Sequence, residues 1–304
     1  ALFKATHEVL YHNFNYLVKY PDLRESINAT MVNKKSLFLE LREEQQVFNI
    51  NVFPLNNMWT LKGQGKNGVA LLIEEITQRR MMEKMKREFF QNASHELKSP
   101  LTTIIGYQQM IREKILVSEE EITEATQRTI KEAERMNKIL KEMLELSKLE
   151  SNVEFTYDDV YLNDIIDELL EQKTGLIKER GLVVIKDVKP VVIKMNQSHA
   201  YQLISNLLEN AIKYNVNNGS VEIKLTSKEL IVKDTGIGIP KDAQERIFER
   251  FYRVDKGRSK AVGGTGLGLA IVKHICSLYK FHISLDSKVN EGSTFTICFY
   301  NKKI

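Results

Sequence analysis

Ser94-His95-Glu96-Leu97-Lys98-Ser99-Pro100-Leu101-Thr102 stands inside a charged segment whose apolar residues fall at Met82, Met85, Phe89, Ala93, Leu97, Leu101, Ile104, Ile111 and Ile115. Steps of three and four put those side chains on one helix face, so the segment from Thr77 predicts a long amphipathic helix that needs a helical partner. The partner follows directly. Ser118 with Glu121 three residues on is a capping-box pattern, and a second seam runs through Ile122, Thr129, Ala133, Met136, Leu140, Met143 and Leu146. Residues 77–150 therefore predict a helical hairpin with a half-covered apolar stripe. Pairing of two copies into a four-helix bundle would cover it. A plain coiled-coil spacer carries the same pattern.

His95 is set apart from the other histidines by its neighbours. A lone histidine on an exposed helix face is ordinarily a surface residue. Glu96, however, can keep one ring nitrogen protonated and leave the other lone pair free to act as a nucleophile, and imidazole is substantially neutral near pH 7. Pro100 has no N–H for the carbonyl of Glu96, which predicts a kink just past the histidine. A bend there would let a second domain dock.

Before the hairpin, residues 1–34 read as helices and loops. Ser36–Glu44, Val47–Leu55, Met58–Lys62 and Gly68–Glu74 then alternate as antiparallel strands of a small domain, residues 1–76. The run from Gly63 to Gly68 lacks the glycine spacing and Lys-Ser/Thr ending of a phosphate loop and reads as a hairpin turn. After the hairpin, residues 151–304 mix helical patterns (Leu162–Arg180, Ser198–Tyr214, Leu267–Tyr279) with strand-like runs at Leu182–Asp187, Val191–Met195, Val221–Thr226 and Glu229–Lys233, and two strands close the chain. That order predicts an α/β layer domain with a hairpin-rich sheet.

Three patterns in this last domain have chemical content. Asn206, Asn210 and Lys213 share one helix face opposite Leu203, Leu207, Leu208 and Ala211. The polar face is either solvent-facing or, because asparagine is a mediocre helix former, a site for Mg²⁺ and the phosphates it bridges. Asp234-Thr235-Gly236-Ile237-Gly238-Ile239-Pro240 ends a strand on a carboxylate that could accept from an adenine amino group, with glycines that let the backbone approach the ring; a simple glycine turn is the alternative. Gly263-Gly264-Thr265-Gly266-Leu267-Gly268-Leu269 opens a helix, where free N–H groups favour phosphate, as they would in a dinucleotide fold. Between the two lies Phe248-Glu249-Arg250-Phe251-Tyr252-Arg253 and a polar stretch that reads as a lid over a nucleotide.

The order of these pieces resembles the sensor histidine kinase family over nearly the whole chain. Ser94–Thr102 resembles its phosphoacceptor box, Asn206–Tyr214 the asparagine box, Asp234–Pro240 and Gly264–Leu269 the two glycine boxes, and Phe248–Arg253 the phenylalanine box. Chance similarity across five boxes in order is negligible. The resemblance implies a multidomain α+β protein: a PAS-like antiparallel sheet, a hairpin that dimerises as a four-helix bundle, and an ATP-binding α/β sandwich of the gyrase and Hsp90 type. Within the family the chain looks closest to sensors of phosphate limitation and cell-wall state.

The same resemblance implies that Mg-ATP phosphorylates His95, with Glu96 assisting, and that the phosphate passes to the receiver domain of a response regulator. Asn210 would hold Mg²⁺, Asn206 and Lys213 would contact phosphates, Tyr214 would flank the nucleotide and Asp234 would read adenine. Gly236 and Gly238, with Gly264, Thr265, Gly266, Leu267 and Gly268, would line the nucleotide, while Tyr252, Arg253 and Arg258 would reach it or its transferring phosphate. Such kinases often also dephosphorylate their partner through a threonine or asparagine four residues after the histidine; here that residue is Ser99. A mechanical ATPase of the same nucleotide fold would need no histidine followed by an acid, and a dead scaffold would not keep intact boxes.

The front strands, running through Ile73-Glu74-Glu75-Ile76-Thr77 into the hairpin, resemble the later part of a PAS domain, with the PAS ligand unknown or none. That region holds no cysteine, which excludes a flavin–cysteine adduct, and His7 and His12 are poor haem candidates. A packing and dimerisation module is the plainer reading.

Composition narrows the rest. A net charge of +4 over 304 residues, with acids and bases interleaved, lacks the one-signed stripe of nucleic-acid binding. Two cysteines, Cys276 and Cys298, fit neither structural zinc nor a disulfide scaffold and suit a reducing cytosol. No apolar run is long enough to span a bilayer, so the chain reads as soluble. It begins at Ala1 in helix-like sequence, the expectation for a cytoplasmic piece of a longer bacterial protein with a membrane anchor upstream.

Overall fold

The computed structural model describes residues 18–55, 68–150, 155–254 and 264–299. Arg258, the strand read at Met58–Lys62, most of the turn read at Gly63–Gly68, and His7 and His12 lie outside the described residues. The chain divides into two compact units, Ala1–Glu88 and Phe89–Ile304.

In the first unit, α1 (Pro21–Asn33) starts on a proline whose fixed φ suits a first helical turn, and it ends on Lys34 in the left-handed region at φ 55°. β1 (Leu37–Glu43), β2 (Gln46–Leu55) and β3 (Gly68–Glu75) form an antiparallel sheet in that order. Register places Ile50 opposite Leu39 and Ile73. Alternation turns Leu41, Ile50 and Val52 toward Leu23 and Ile27 of α1, giving this unit its own small core. The long helix α2 (Thr77–Arg112) leaves the sheet through a bond from the Val47 N–H to the Thr77 hydroxyl.

In the second unit, α2 and α3 (Glu119–Glu150) form the hairpin. Both capping-box bonds are made: the Glu121 N–H donates to the Ser118 hydroxyl at 3.1 Å, and the Ser118 N–H donates to Glu121 Oε2 at 3.1 Å. α2 continues without a break past Pro100, which is buried. The seams are only partly covered: Ala93 and Leu146 are buried, while Leu101 and Leu140 keep 45% and 43% exposure; outside the predicted seams Ala125 and Ile139 are buried, and Ile105, Ile130 and Leu144 are exposed.

The α/β domain begins with β4 (Asp158–Tyr161), α4 (Leu162–Gln172) and α5 (Thr174–Glu179). The sequence predicts one helix over Leu162–Arg180, whereas the structure breaks it at Lys173, just before Thr174-Gly175. There follow β5 (Val183–Val188), β6 (Val192–Met195), α6 (Gln197–Lys213), β7 (Ser220–Leu225), β8 (Glu229–Asp234), α7 (Gly268–Leu278), β9 (His282–Lys288) and β10 (Gly292–Cys298). The sheet runs β5-β7-β8-β10-β9, with only the β5–β7 pair parallel, and β4 pairs separately with β6. Leu203, Leu207 and Leu208 of α6 and Ile271 and Ile275 of α7 join Ile223, Val232 and Ile297 of the sheet in one core. Ile139 and Leu146 of α3 belong to the same core, so the hairpin is packed on this domain.

Candidate active site

The core stripe of α6 fixes which way its polar face points. Asn196 caps the helix, its side-chain oxygen accepting from the N–H of Ser198 at 3.0 Å and of His199 at 3.4 Å. With Leu203, Leu207 and Ala211 turned inward, Asn206, Asn210 and Lys213 sit half-buried on the other side. Neither Asn206 nor Asn210 has a side-chain hydrogen bond to a described residue, so both amide oxygens are available to a ligand.

Asp234 closes β8 and is 6% exposed. Its Oδ1 accepts from the Gly236 N–H at 2.8 Å, and the Ser293 N–H also donates to the carboxylate. Burial outweighs those donors and pushes the carboxyl up to about 6. Gly236 follows tightly: a Cβ there would lie 2.3 Å from the Tyr214 carbonyl oxygen and 2.7 Å from Asp234 Oδ1. Gly238 has φ +66°, and a Cβ would lie 2.0 Å from the Lys288 carbonyl oxygen, so this turn admits only glycine.

Tyr214, at the end of α6, joins the first glycine segment to the second. Its carbonyl accepts from the Ile237 N–H at 3.1 Å. A Cβ on Gly264 would lie 2.9 Å from the Tyr214 hydroxyl and 3.5 Å from Lys213 Nζ, and one on Gly268 would lie 2.9 Å from Asn206 Oδ1. The asparagine-bearing helix and the start of α7 thus face each other. Burial pulls Lys213 down to about 8, helped by the neighbouring Lys138 and Arg253 cations. Gly266 accepts from the Phe251 N–H at 2.8 Å, and Leu267 is fully buried in the core, so its side chain is structural.

The hairpin lies against this edge. The Thr265 hydroxyl donates to Glu142 of α3 and accepts from the Leu267 N–H at 3.3 Å. Burial pushes the Glu142 carboxyl above its ordinary range. Lys138 contacts Glu209 at 2.8 Å and Glu142 at 3.9 Å, and Lys173 contacts Glu209 at 3.2 Å. Glu150, ending α3, pairs with Arg250 and lies 3.1 Å from His274 Nε2.

Arg253 is 6% exposed, and its Nη2 donates to Glu96 Oε2 at 3.2 Å. Arg135 of α3 donates to the same oxygen, also at 3.2 Å. Tyr252 is stacked under the Arg246 guanidinium, 4.3 Å from ring centroid to carbon. His95 is exposed beside this cluster, and Glu96 faces the two arginines without bonding to its ring. Ser99 is exposed, and its hydroxyl makes no bond to a described residue, although Ser94, Thr102 and Thr103 each bond back to a carbonyl one turn earlier. Arg135, Lys138, Glu142 and Glu209 escaped the sequence reading. Charged residues beside an apolar seam look solvated until the second domain is in place.

A nucleotide-type α/β sandwich carried on a hairpin with an exposed histidine is the architecture of phosphoacceptor kinases. Residues 85–152 match the His Kinase A (phospho-acceptor) domain, and residues 195–303 match the histidine kinase-, DNA gyrase B-, and HSP90-like ATPase. The chain belongs to the two-component sensor histidine kinases. It is 31% identical over 271 residues to the sensor histidine kinase WalK of Bacillus subtilis, covering 86% of this chain and 44% of that protein. It is 34% identical over 242 residues to the phosphate regulon sensor protein PhoR of Pseudomonas aeruginosa, covering 77% and 54%. The chain spans about half the length of these curated relatives. Its fold is shared with histidine kinase ThkA, solved in complex with response regulator protein TrrA, at TM-score 0.58 and 23% identity over 95% of this chain and 89% of that one. Among the described residues no helix is long and apolar enough to cross a membrane.

Proposed function

We propose that this chain transfers the γ-phosphoryl group of ATP to His95 and then to an aspartate on the receiver domain of a response regulator. A ring nitrogen of His95 forms the new bond to phosphorus as the bond to the β,γ-bridging oxygen breaks and ADP leaves, while Glu96 holds the other ring N–H. In the second step the aspartate oxygen takes the phosphorus and the nitrogen–phosphorus bond breaks. The observation that carries this reading is the convergence of Asp234, Tyr214, Lys213, Asn206 and the second glycine segment along one edge, with Arg253 of the same domain resting on the residue next to His95.

In this reading Asp234 accepts from the adenine amino group, Gly236 and Gly238 keep the backbone clear of the ring, and Tyr214 flanks it. Lys213, Asn206, Thr265 and the backbone of Gly264 to Gly268 meet the phosphates, and Tyr252 and Arg253 reach the transferring group, with Arg258 joining them. The free amide oxygen of Asn210, with Asn206 beside it, suits a hard oxygen-seeking cation, so Asn210 would hold Mg²⁺. Bound there, Mg²⁺ would neutralise phosphate charge.

The domains divide as 1–76 (PAS-like sensor), 77–150 (phosphotransfer hairpin) and 151–304 (ATP-binding). The stripe from Leu101 to Leu144 left bare on the hairpin fits a second copy, giving a homodimeric four-helix bundle. The reaction draws on ATP and a receiver domain, both cytoplasmic. Dephosphorylation of the phosphorylated partner, with Ser99 orienting water, completes the reading. Incubation with γ-labelled and, separately, α-labelled ATP tests the first step. Label retained on the chain from the γ position alone supports it, and no retained label overturns it.

A further inference from the structure

We infer that Arg135 is a positioning residue for Glu96, an inference that rests on the kinase reading above. Both arginines that reach Glu96 use one oxygen: Nη2 of Arg135 and Nη2 of Arg253 each lie 3.2 Å from Oε2. Oε1 has no bond to any described residue. A carboxylate anchored through one oxygen keeps the other, with its lone pairs, for the imidazole N–H of His95.

The two arginines differ in where they belong. Arg253 is part of the ATP-binding domain and travels with it. Arg135 is on α3, so its contact with Glu96 of α2 lies within the hairpin and is kept wherever the ATP-binding domain stands. When Arg253 turns to the phosphoryl group, Arg135 remains to hold Glu96 oriented. A glutamate without such an anchor samples many rotamers, and the reacting geometry is diluted accordingly.

A purely structural role fits the site poorly. Arg135 is 14% exposed, its Nε–H is buried without a hydrogen-bond partner, and its second contact, to Glu132, is long at 3.7 Å. Replacing a whole buried ion pair by apolar side chains of similar volume is often neutral for stability, so packing alone does not call for a guanidinium here.

The test compares wild type, Arg135→Gln, Arg135→Lys, Glu96→Gln and the Arg135→Gln/Glu96→Gln double variant as full chains in γ-labelled ATP. Arg135→Gln is expected to lower the maximal labelling rate by about tenfold while leaving the KM for ATP within about twofold. Arg135→Lys, which keeps a cation but loses the planar fork, restores part of the rate. In the Glu96→Gln background, Arg135→Gln makes no further difference, because there is no carboxylate left to position. Labelling of Arg135→Gln at the wild-type rate, or the same fold loss with and without Glu96, would overturn the inference. Should Arg135→Gln fail to fold, Arg135→Met decides in its place, by the same two outcomes. A wild-type chain that takes up no label refutes the kinase reading itself, and the positioning role falls with it; a wild type that labels normally isolates the question to Arg135.

Discussion

Nη2 of Arg253 lies 3.2 Å from Oε2 of Glu96, so a cation from the ATP-binding domain rests on the side chain that follows His95. In the proposed reaction that guanidinium would stabilise the phosphoryl group passing to His95. Arg253→Ala should therefore lower the single-turnover labelling rate by roughly tenfold to a hundredfold, with a smaller change in ATP affinity. Rapid-quench kinetics at saturating ATP reads the rate. An unchanged rate removes Arg253 from the reaction.

Burial of Asp234 costs stability, which its proposed part in reading adenine would explain. Its folded-state carboxyl is pushed up to about 6 by burial, so the folded chain holds that proton more tightly than the unfolded chain does. Ionising it costs stability; the cost is absent below the ordinary carboxylate range, grows as pH rises, and is complete above about pH 6. Asp234→Asn should accordingly raise stability at pH 7 relative to wild type and weaken ATP binding about tenfold, since an amide has one acceptor oxygen for the Gly236 N–H, the Ser293 N–H and adenine. Denaturation and nucleotide titration of one preparation check both signs. Unchanged affinity would mean that adenine is read elsewhere.

In the proposed site Lys213 would give nucleotide binding a dependence on alkaline pH. Burial, with Lys138 and Arg253 nearby, pulls its ammonium down to about 8 in the nucleotide-free chain. Phosphates bound there would favour the charged form and raise that value, so binding should take up a proton above about pH 8 and affinity should fall as pH rises. Calorimetry at about pH 8.5 in two buffers of different ionisation enthalpy should show proton uptake in wild type and much less in Lys213→Met.

Ser99 presents a hydroxyl with no bond to a described residue. Serine could have turned back to a carbonyl in the preceding turn, as Ser94 does, but it has not, which leaves the group available to hold water. Its rotamer is less restricted than threonine's. Decay of the phosphorylated partner with ADP present should run fastest with Ser99→Thr, slower in wild type and slowest in Ser99→Ala, with self-labelling unchanged in all three. Equal decay in the serine and alanine forms would show that Ser99 orients no water.

Much of this architecture was legible locally. The Ser118–Glu121 capping box is a contact between near neighbours, and both of its bonds are formed. Asp234, Gly236 and Gly238 announce a strand end and a turn by residue type alone. What escaped the reading depends on distant parts of the chain. The break at Lys173 divides a pattern that reads as continuous because Leu169, Leu170, Leu176 and Ile177 keep a helical spacing across it. The parallel pairing of β5 with β7 leaves no mark in either strand's alternation. Nor can a helical period reveal that Arg135 meets Glu96 or that Glu142 meets Thr265, since those contacts exist only once the hairpin closes and the sandwich docks.

The most direct measurement is the chemistry of the label and its position. After incubation with γ-labelled ATP and Mg²⁺, the wild-type chain should carry a phosphoramidate, lost in acid and stable in base, on the peptide containing His95. His95→Gln should carry none while binding ATP with wild-type affinity, because the acceptor and the nucleotide site lie on different elements. Full labelling of His95→Gln, or an acid-stable phosphate on another residue, would contradict the account.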